Sequence, residues 1–286
     1  MADIRPAAAK YAGTQSAFVR VSCLATNLLL CRWMFERLLT WVAGVGEVGL
    51  FGARGVRDIF RPPFEFGEVS HQIYEVGSRS TPLILISGLA LGAVAAMHSI
   101  ISMSRFGAQS LTPEAVSIGM VRILGPLVTG LLASGRIGAG IGAELGGMRV
   151  TRQIDALEAL AVDSFKYLVA TRILACVIAL PVLTLIADFS GIAGGMFLDK
   201  LLGHVSFALF VNNAFQVLSL ADFLPSVFKT VVFGLIIGSV SCFLGYNATG
   251  GASGVGRAST RSVVACSLLL LVVDIILVKL IAFWNL

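Results

Sequence analysis

Five apolar stretches, each long enough to cross a lipid bilayer as a helix, limit the fold of this chain more than any other feature. They lie at about 81–103, 116–143, 168–198, 223–245 and 261–284. A helix needs about 20 apolar residues to cross the hydrocarbon core. Lipid also forces backbone polar groups to be satisfied within the spanning structure. We therefore predict an all-α integral membrane protein with about five transmembrane helices.

The composition supports this class and argues against a nucleic-acid partner. Of the 286 residues, 57% are hydrophobic and only 13% are charged, whereas a soluble domain of this length presents more polar surface. The formal net charge is +5. Lys and Arg collect in the cytoplasmic loops of membrane proteins, and no aromatic–basic motif accompanies them. We expect no binding of nucleic acid.

The segment before the first span divides into three parts. Residues 1–20 have no clean apolar core and are predicted to be a cytoplasmic arm. Residues 21–52 are apolar, but their charges fall in one sector of a helix, which predicts an amphipathic helix lying in the membrane interface. A poor transmembrane helix is the alternative. Residues 53–80 are polar and basic, which predicts a cytoplasmic connector, so that 21–80 precedes a five-span domain at 81–286.

The distribution of basic residues predicts the orientation. The segment before residue 80 and the loops 144–167 and 246–261 are richer in Arg and Lys than the opposite loops, which carry Arg105 and Lys200. Basic loops stay on the cytoplasmic side. The N-terminus is therefore predicted to be cytoplasmic and the C-terminus to lie outside, as an odd number of spans requires.

One of the cytoplasmic loops carries a short amphipathic helix, predicted near 151–160. Apolar residues at 154, 157, 160 and 161 recur with the period of a helix. An exposed helix with an apolar and an acidic face is a docking element for a partner. The alternative is a helix that packs under the bundle.

Glycines mark two of the spans. Gly138, Gly142 and Gly146 are four residues apart, so they share one helix face and predict close helix packing. No strand precedes them, which argues against a dinucleotide-binding loop. The third span is long enough to tilt, or to end in a looser glycine-rich turn around 191–195.

Charged residues inside or beside the spans are costly in lipid, so they are paired or functional. Structural ion pairing is favoured for the deeper ones, and an ion-coupled carrier is the alternative. Arg136 and Glu144, near the cytoplasmic end of the second span, either extend to the membrane interface or have a role in transport. The set is Arg136, Glu144, Asp188, Lys229 and Asp274.

The sequence lacks the signatures of an enzyme. It contains no G-x-x-x-x-G-K-[ST], H-E-x-x-H or G-x-S-x-G motif. We predict no catalytic residue, no bound cofactor and no metal site on this chain. Five cysteines lie in apolar segments without a C-x-x-C pair and are interpreted as small buried hydrophobic residues. They are Cys23, Cys31, Cys176, Cys242 and Cys266.

Two sequence blocks carry a family resemblance. The first is GRIGAGIGAELG at 135–146, followed by MRVT at 148–151 and QIDAL at 153–157. The second contains GY at 245–246, GGA at 250–252, GVG at 254–256 and TRSVV at 260–264. Together they resemble the MlaE/YrbE permease family, over roughly residues 50–286.

The resemblance implies a permease subunit of an ABC transporter that moves phospholipids or related lipids between the inner and outer membranes of a bacterium, which bears on outer-membrane lipid asymmetry. It implies a homodimer in the inner membrane with a periplasmic C-terminus. Two ABC ATPase subunits would bind ATP and Mg²⁺ on the cytoplasmic side, and an MCE-domain lipid-binding protein would lie on the periplasmic side. The remaining alternatives are an ion-coupled secondary carrier and a structural membrane scaffold.

The resemblance also implies roles for particular residues. The helix near 151–160 would be the coupling helix that enters a groove of the ATPase. Its residues are Arg149, Gln153, Asp155, Leu157 and Glu158. Because lipid tails need an apolar cavity, two copies meeting at a dimer interface would form one from the first and fifth spans. Its predicted lining is Leu89, Val94, Met97, Leu270 and Ile276.

Overall fold

The computed structural model describes residues 44–59, 66–161, 163–202 and 206–284, and within these ranges the chain forms helices and turns without a strand. The chain divides into two compact units, Met1–Leu50 and Phe51–Leu286. Of the first unit, residues 44–50 are described and are helical. The predicted arm at 1–20 and most of the predicted interfacial helix at 21–52 lie outside the described residues.

We number eight helices in the described ranges. The shorter ones are α1 (44–59), α4 (Gln153–Ala159) and α6 (Phe207–Val217). The other five are long and apolar enough to cross a membrane, which confirms the predicted all-α fold with five spans. They are α2 (Phe66–Ser104), α3 (Thr112–Val150), α5 (Lys166–Leu202), α7 (Leu220–Tyr246) and α8 (Gly251–Trp284).

Three helices extend well beyond the predicted spans. Helix α2 begins at Phe66, before the span predicted from 81, and α8 begins at Gly251, before the span predicted from 261. Helix α3 ends at Val150, after the span predicted to end at 143. A 39-residue helix such as α2 is about 58 Å long, whereas the hydrocarbon core is about 30 Å thick. Hydropathy therefore marked only the apolar part of each helix. The polar residues 66–80, predicted to be part of a connector, continue α2 beyond that part.

Helices α2 and α5 run parallel and approach through small residues. A Cβ atom added at Gly92 would overlap the backbone of Gly191, and one added at Gly194 would overlap the backbone of Leu89. Such contacts let helix backbones come close together in lipid. The looser turn considered for the third span was wrong, because α5 stays helical to Leu202.

The predicted glycine face of α3 packs against α7 and α8. A Cβ atom at Gly138 would lie 3.1 Å from Oγ of Ser241 on α7. One at Gly142 would lie 2.7 Å from Oγ of Ser262 on α8. Gly146 continues the same face toward α8. The prediction of close helix packing is confirmed.

The cysteines in the described spans are buried. Cys176, Cys242 and Cys266 are each 0% exposed and carry free thiols. This confirms their interpretation as small hydrophobic residues. Cys23 and Cys31 lie outside the described residues.

We predict that Gly92→Ala destabilises the bundle by about 1–3 kcal/mol, because α2 and α5 must separate to admit the methyl group. Gly77→Ala, also on α2, is the control, since nothing lies within 4 Å of its added Cβ. The control should be neutral or slightly stabilising. Unfolding of the purified protein in a mixed-detergent titration measures both variants. Equal stability of the two would contradict the assigned contact.

Candidate functional site

An irregular turn in the spanning helix α3 creates a polar point between the helices of the bundle. Residues Met120–Leu124 form a π-helical turn, and Pro126 follows it. Proline has no N–H, so the carbonyl oxygen of Arg122 loses its usual helical donor four residues ahead. Nζ of Lys229, on α7, donates to that oxygen at 3.4 Å. A side chain from another span thus repairs the defect in α3.

The same lysine pairs with an acidic residue of α8. Nζ of Lys229 lies 3.3 Å from Oδ1 of Asp274, and the two side chains are 5% and 13% exposed. A buried ammonium group is costly unless it has charged or polar partners. The structure therefore brings together two of the charged residues that the sequence singled out and ties α3, α7 and α8 to each other.

A second ion pair lies beside the first. Nε of Arg122 donates to Oδ1 of Asp222 at 2.8 Å, and its Nη2 contacts the same oxygen. The other carboxylate oxygen accepts from the backbone N and Oγ of Ser219, at 3.0 and 2.9 Å, which caps α7. Arg122 keeps 59% of its side chain exposed, so part of its guanidinium group faces open space.

A cavity of about 500 Å³ opens between α3, α7 and α8 at these ion pairs. Its lining combines polar and apolar side chains, which suits an amphiphilic ligand. The polar residues are Arg122, Ser219, Asp222, Ser226 and Lys229, and the apolar residues are Ile123, Pro225, Val278, Ile281 and Ala282. We call this cavity the polar pocket.

The remaining charged residues of the prediction lie elsewhere. Glu144 accepts a hydrogen bond from Nη2 of Arg172 at 2.7 Å, and Nη1 of that arginine donates to the carbonyl of Leu168 at 2.8 Å. Arg136 is exposed and lines a separate cavity of about 390 Å³ between α2 and α3. Asp188 is buried, and its carboxylate has no hydrogen-bond partner in the described part of the chain.

Two functional candidates were missed by the sequence analysis. Arg122 lies inside the predicted second span and Arg172 inside the predicted third span. Arg172 is only 2% exposed. The signal that selected Lys229, an ionisable residue within an apolar stretch, applies equally to both arginines.

The predicted amphipathic helix is present as α4. It packs on the bundle through Ile154, which is 0% exposed, while Leu160 at its end is 74% exposed. Gln153, Asp155 and Glu158 are exposed as well, and Leu157 is half-buried. The helix therefore has one packed side and one exposed side. The first fits the predicted alternative of a helix packed under the bundle, and the second leaves a surface on which a partner could dock.

Hydrogen bonds and an ion pair hold α4 at both ends. At its beginning, Nη1 of Arg149 lies 2.7 Å from Oδ1 of Asp155. Near its end, Oε1 of Glu158 accepts from Oγ of Ser164 at 2.7 Å and from the hydroxyl of Tyr246 at 3.3 Å. Four of the five predicted coupling residues are thus on α4, and Arg149 lies one turn before it.

The predicted lipid-lining residues do not form one cavity within this chain. Helices α2 and α8, which carry them, make no extensive contact with each other in the described ranges. Leu270 is 1% exposed and packs near Gly130 of α3. The other four have between 37% and 56% of their surface exposed and are Leu89, Val94, Met97 and Ile276.

Five spanning helices, a polar pocket between three of them and an exposed loop helix define a multi-span membrane protein with the organisation of a permease. The sequence profile of the family described as Permease MlaE matches residues 69–280. The chain belongs to the MlaE permease family, which confirms the resemblance seen in its sequence blocks.

Similar proteins occur in distant organisms. A protein of Rickettsia bellii is 37% identical over 245 residues, which cover 86% of this chain and 95% of that protein. One of Synechocystis is 36% identical over 193 residues, or 68% and 73% of the two chains. One of Pyropia yezoensis is 33% identical over 206 residues, or 72% and 78%. Each is named a probable ABC transporter permease protein.

We predict that Glu144→Ala destabilises the protein by about 1–3 kcal/mol, because it leaves a buried guanidinium group without its carboxylate. Glu75→Ala is the control, since Glu75 pairs with Arg79 at 3.1 Å on the exposed side of α2. A surface pair of this kind contributes about 0–1 kcal/mol. Thermal unfolding in detergent compares the two. A loss as small as that of the control would contradict the structural role of the Arg172–Glu144 pair.

Proposed function

We propose that this chain is the membrane subunit of an ABC transporter that moves phospholipids or related lipids between the inner and outer membranes of a bacterium. The polar pocket is the observation that carries the proposal. Family membership and the names of the relatives support the permease role. In this role the chain contributes to outer-membrane lipid asymmetry and hydrolyses no ATP itself.

The chemistry of the polar pocket fits a lipid headgroup. A guanidinium group has five N–H donors and binds phosphate well. Asp222 accepts from two nitrogen atoms of Arg122, which leaves donors for a phosphate. Lys229 supplies a second cation behind it. The apolar lining residues Val278 and Ile281, on α8, offer a surface to the first part of the lipid tails.

The rest of the tails need apolar cover that one copy of the chain does not provide. In the proposed homodimer, exposed faces of α2 and α8 contribute to a common cavity. Leu89, Val94, Met97 and Ile276 are on these faces. Leu270 would support the cavity from behind, because it is packed inside the chain.

The exposed side of α4 is the proposed contact with the ATPase. Two ATPase subunits would hold ATP and Mg²⁺ on the cytoplasmic side, where the N-terminus of this chain also lies. An MCE-domain protein would exchange lipid at the periplasmic side, where the C-terminus lies. Nucleotide-dependent movement of α4 would switch the permease between two states that bind lipid with different affinity, since only a difference in affinity can drive transport.

We predict that Lys229→Met lowers lipid transport in proteoliposomes by about tenfold or more, because the pocket loses a cation and Asp274 loses its partner. Lys200→Met, an exposed site at the end of α5, is the matched control and should transport normally. Transfer of a fluorescent phospholipid in the presence of ATP is the measurement. Normal transport by the Lys229 variant would argue against the pocket.

We predict that Leu160→Glu removes the ATPase from the permease during co-purification, because a charge replaces the exposed leucine that directly follows α4. Phe106→Glu is the matched control. Phe106 is 83% exposed in the turn before α3, at the opposite end of the bundle. Retention of the ATPase by the Leu160 variant would contradict the coupling role. Lipid transport driven by an ion gradient without an ATPase would favour the carrier instead.

A further inference from the structure

We propose that Glu158 is a positioning residue that fastens α4 to the beginning of α5 and to α7, so that movement of α4 reaches α7 as well as the adjoining spans α3 and α5. This inference rests on the proposed function, in which α4 receives the movement of an ATPase. The two hydrogen bonds of Glu158 carry it. They join a loop helix to residues that are 6 and 88 positions away in the sequence.

The link from α3 to α4 is short and bent. Thr151 and Arg152 separate the two helices, and Arg152 has a φ of +57°. A non-glycine residue in this conformation is uncommon and needs support from its surroundings. The ion pair between Arg149 and Asp155 spans this bend at 2.7 Å. The beginning of α4 is thus held to α3.

The end of α4 is held by Glu158. Ile154 lies one turn before Glu158 on the same helix face and is fully buried. Ile154 gives apolar contact on the packed side of α4, and the exposed Glu158 gives hydrogen bonds near the end of the helix. One oxygen, Oε1, accepts from both Ser164 and Tyr246. The hydroxyl of Tyr246 is also 3.3 Å from Oγ of Ser164, so the three side chains form a closed triangle.

Aromatic packing fixes the tyrosine in this triangle. The ring of Tyr246 lies 6.3 Å from that of Phe165 in an edge-on arrangement. The guanidinium carbon of Arg149 lies 5.8 Å from the centre of the same tyrosine ring. Phe51 packs edge-on against Phe165 at 4.9 Å and against Phe243 at 5.4 Å. A tyrosine held on its ring faces keeps its hydroxyl in place for Glu158.

The attachment points suit the transfer of movement. Ser164 lies two residues before the π-helical turn Lys166–Ala170 that opens α5. Turns of this kind are local irregularities often found at functional places in helices. Tyr246 is the last residue of α7. A shift of Glu158 would therefore act at the start of one span and at the end of another.

The first test uses amide hydrogen exchange on the purified permease in nanodiscs. We expect Tyr246→Phe, a substitution on α7, to raise exchange in residues 153–159 of α4 by about fivefold, as the loss of one hydrogen bond predicts. Tyr74→Phe, on an exposed tyrosine of α2, is the matched control and should change nothing there. Unchanged exchange in 153–159 would overturn the link between the two helices.

The second test measures the lipid molecules moved per ATP hydrolysed by the reconstituted permease–ATPase complex. We expect this ratio to fall about fivefold in Tyr246→Phe, which loses one hydrogen bond, and at least as far in Glu158→Ala, which loses both. The double variant should fall no further than Glu158→Ala, while the ATPase stays bound. Glu75→Ala is the control. An unchanged ratio, or additive losses, would overturn the positioning role.

The outcomes separate this inference from the proposed function. Loss of ATPase binding by Glu158→Ala would overturn the inference, because Glu158 would then be a docking contact. If the wild-type chain binds no ATPase, the proposed function fails, and a fivefold rise in amide exchange would still support the fastening of α4 to α7.

Discussion

Hydrocarbon supplies no hydrogen bonds, so the backbone polar groups of a spanning helix must find their partners within the protein. The polar pocket follows from this constraint. Pro126 removes a donor from α3, the carbonyl of Arg122 is left open, and Lys229 fills the place from α7. The lysine brings a charge that needs an acid, which Asp274 provides from α8. A single proline thus leads to a polar site shared by three spans.

The same solvent explains why glycine and alanine dominate the helix contacts. Lipid tails are as apolar as leucine, so spans associate through close packing instead of the hydrophobic effect. Gly92 against Gly191 joins α2 to α5, and Gly234 and Gly238 of α7 approach the other side of α5 near Cys176. Helix α5 therefore contacts both α2 and α7, and displacement of its first turn would move its contacts with both helices.

Much of this arrangement could be predicted from the sequence, and the failures have a common physical cause. Hydropathy found the five spans, and helical periods found α4 and the face of Gly138 and Gly142. Hydropathy reports the surroundings of a residue but not its backbone hydrogen bonds, so the polar start of α2 was missed. The pairing of Arg122 with Asp222 joins residues 100 positions apart, and only the packed fold reveals such a pair.

The polar pocket and α4 are far apart, yet rigid helices connect them. Asp222 and Tyr246 are the two ends of the apolar part of α7, and 24 residues of helix between them span about 36 Å. Along α3, Arg122 lies at the polar pocket and Arg149 lies beside α4, so this helix also connects the two places. A helix transmits a rotation or shift of one end to the other, because its backbone bonds hold it straight. Helix α3 already connects the polar pocket to α4, and the fastening of α4 to α7 through Glu158 would give a second connection. Movement of α4 could then displace both α3 and α7, which line the pocket, and so open or close it.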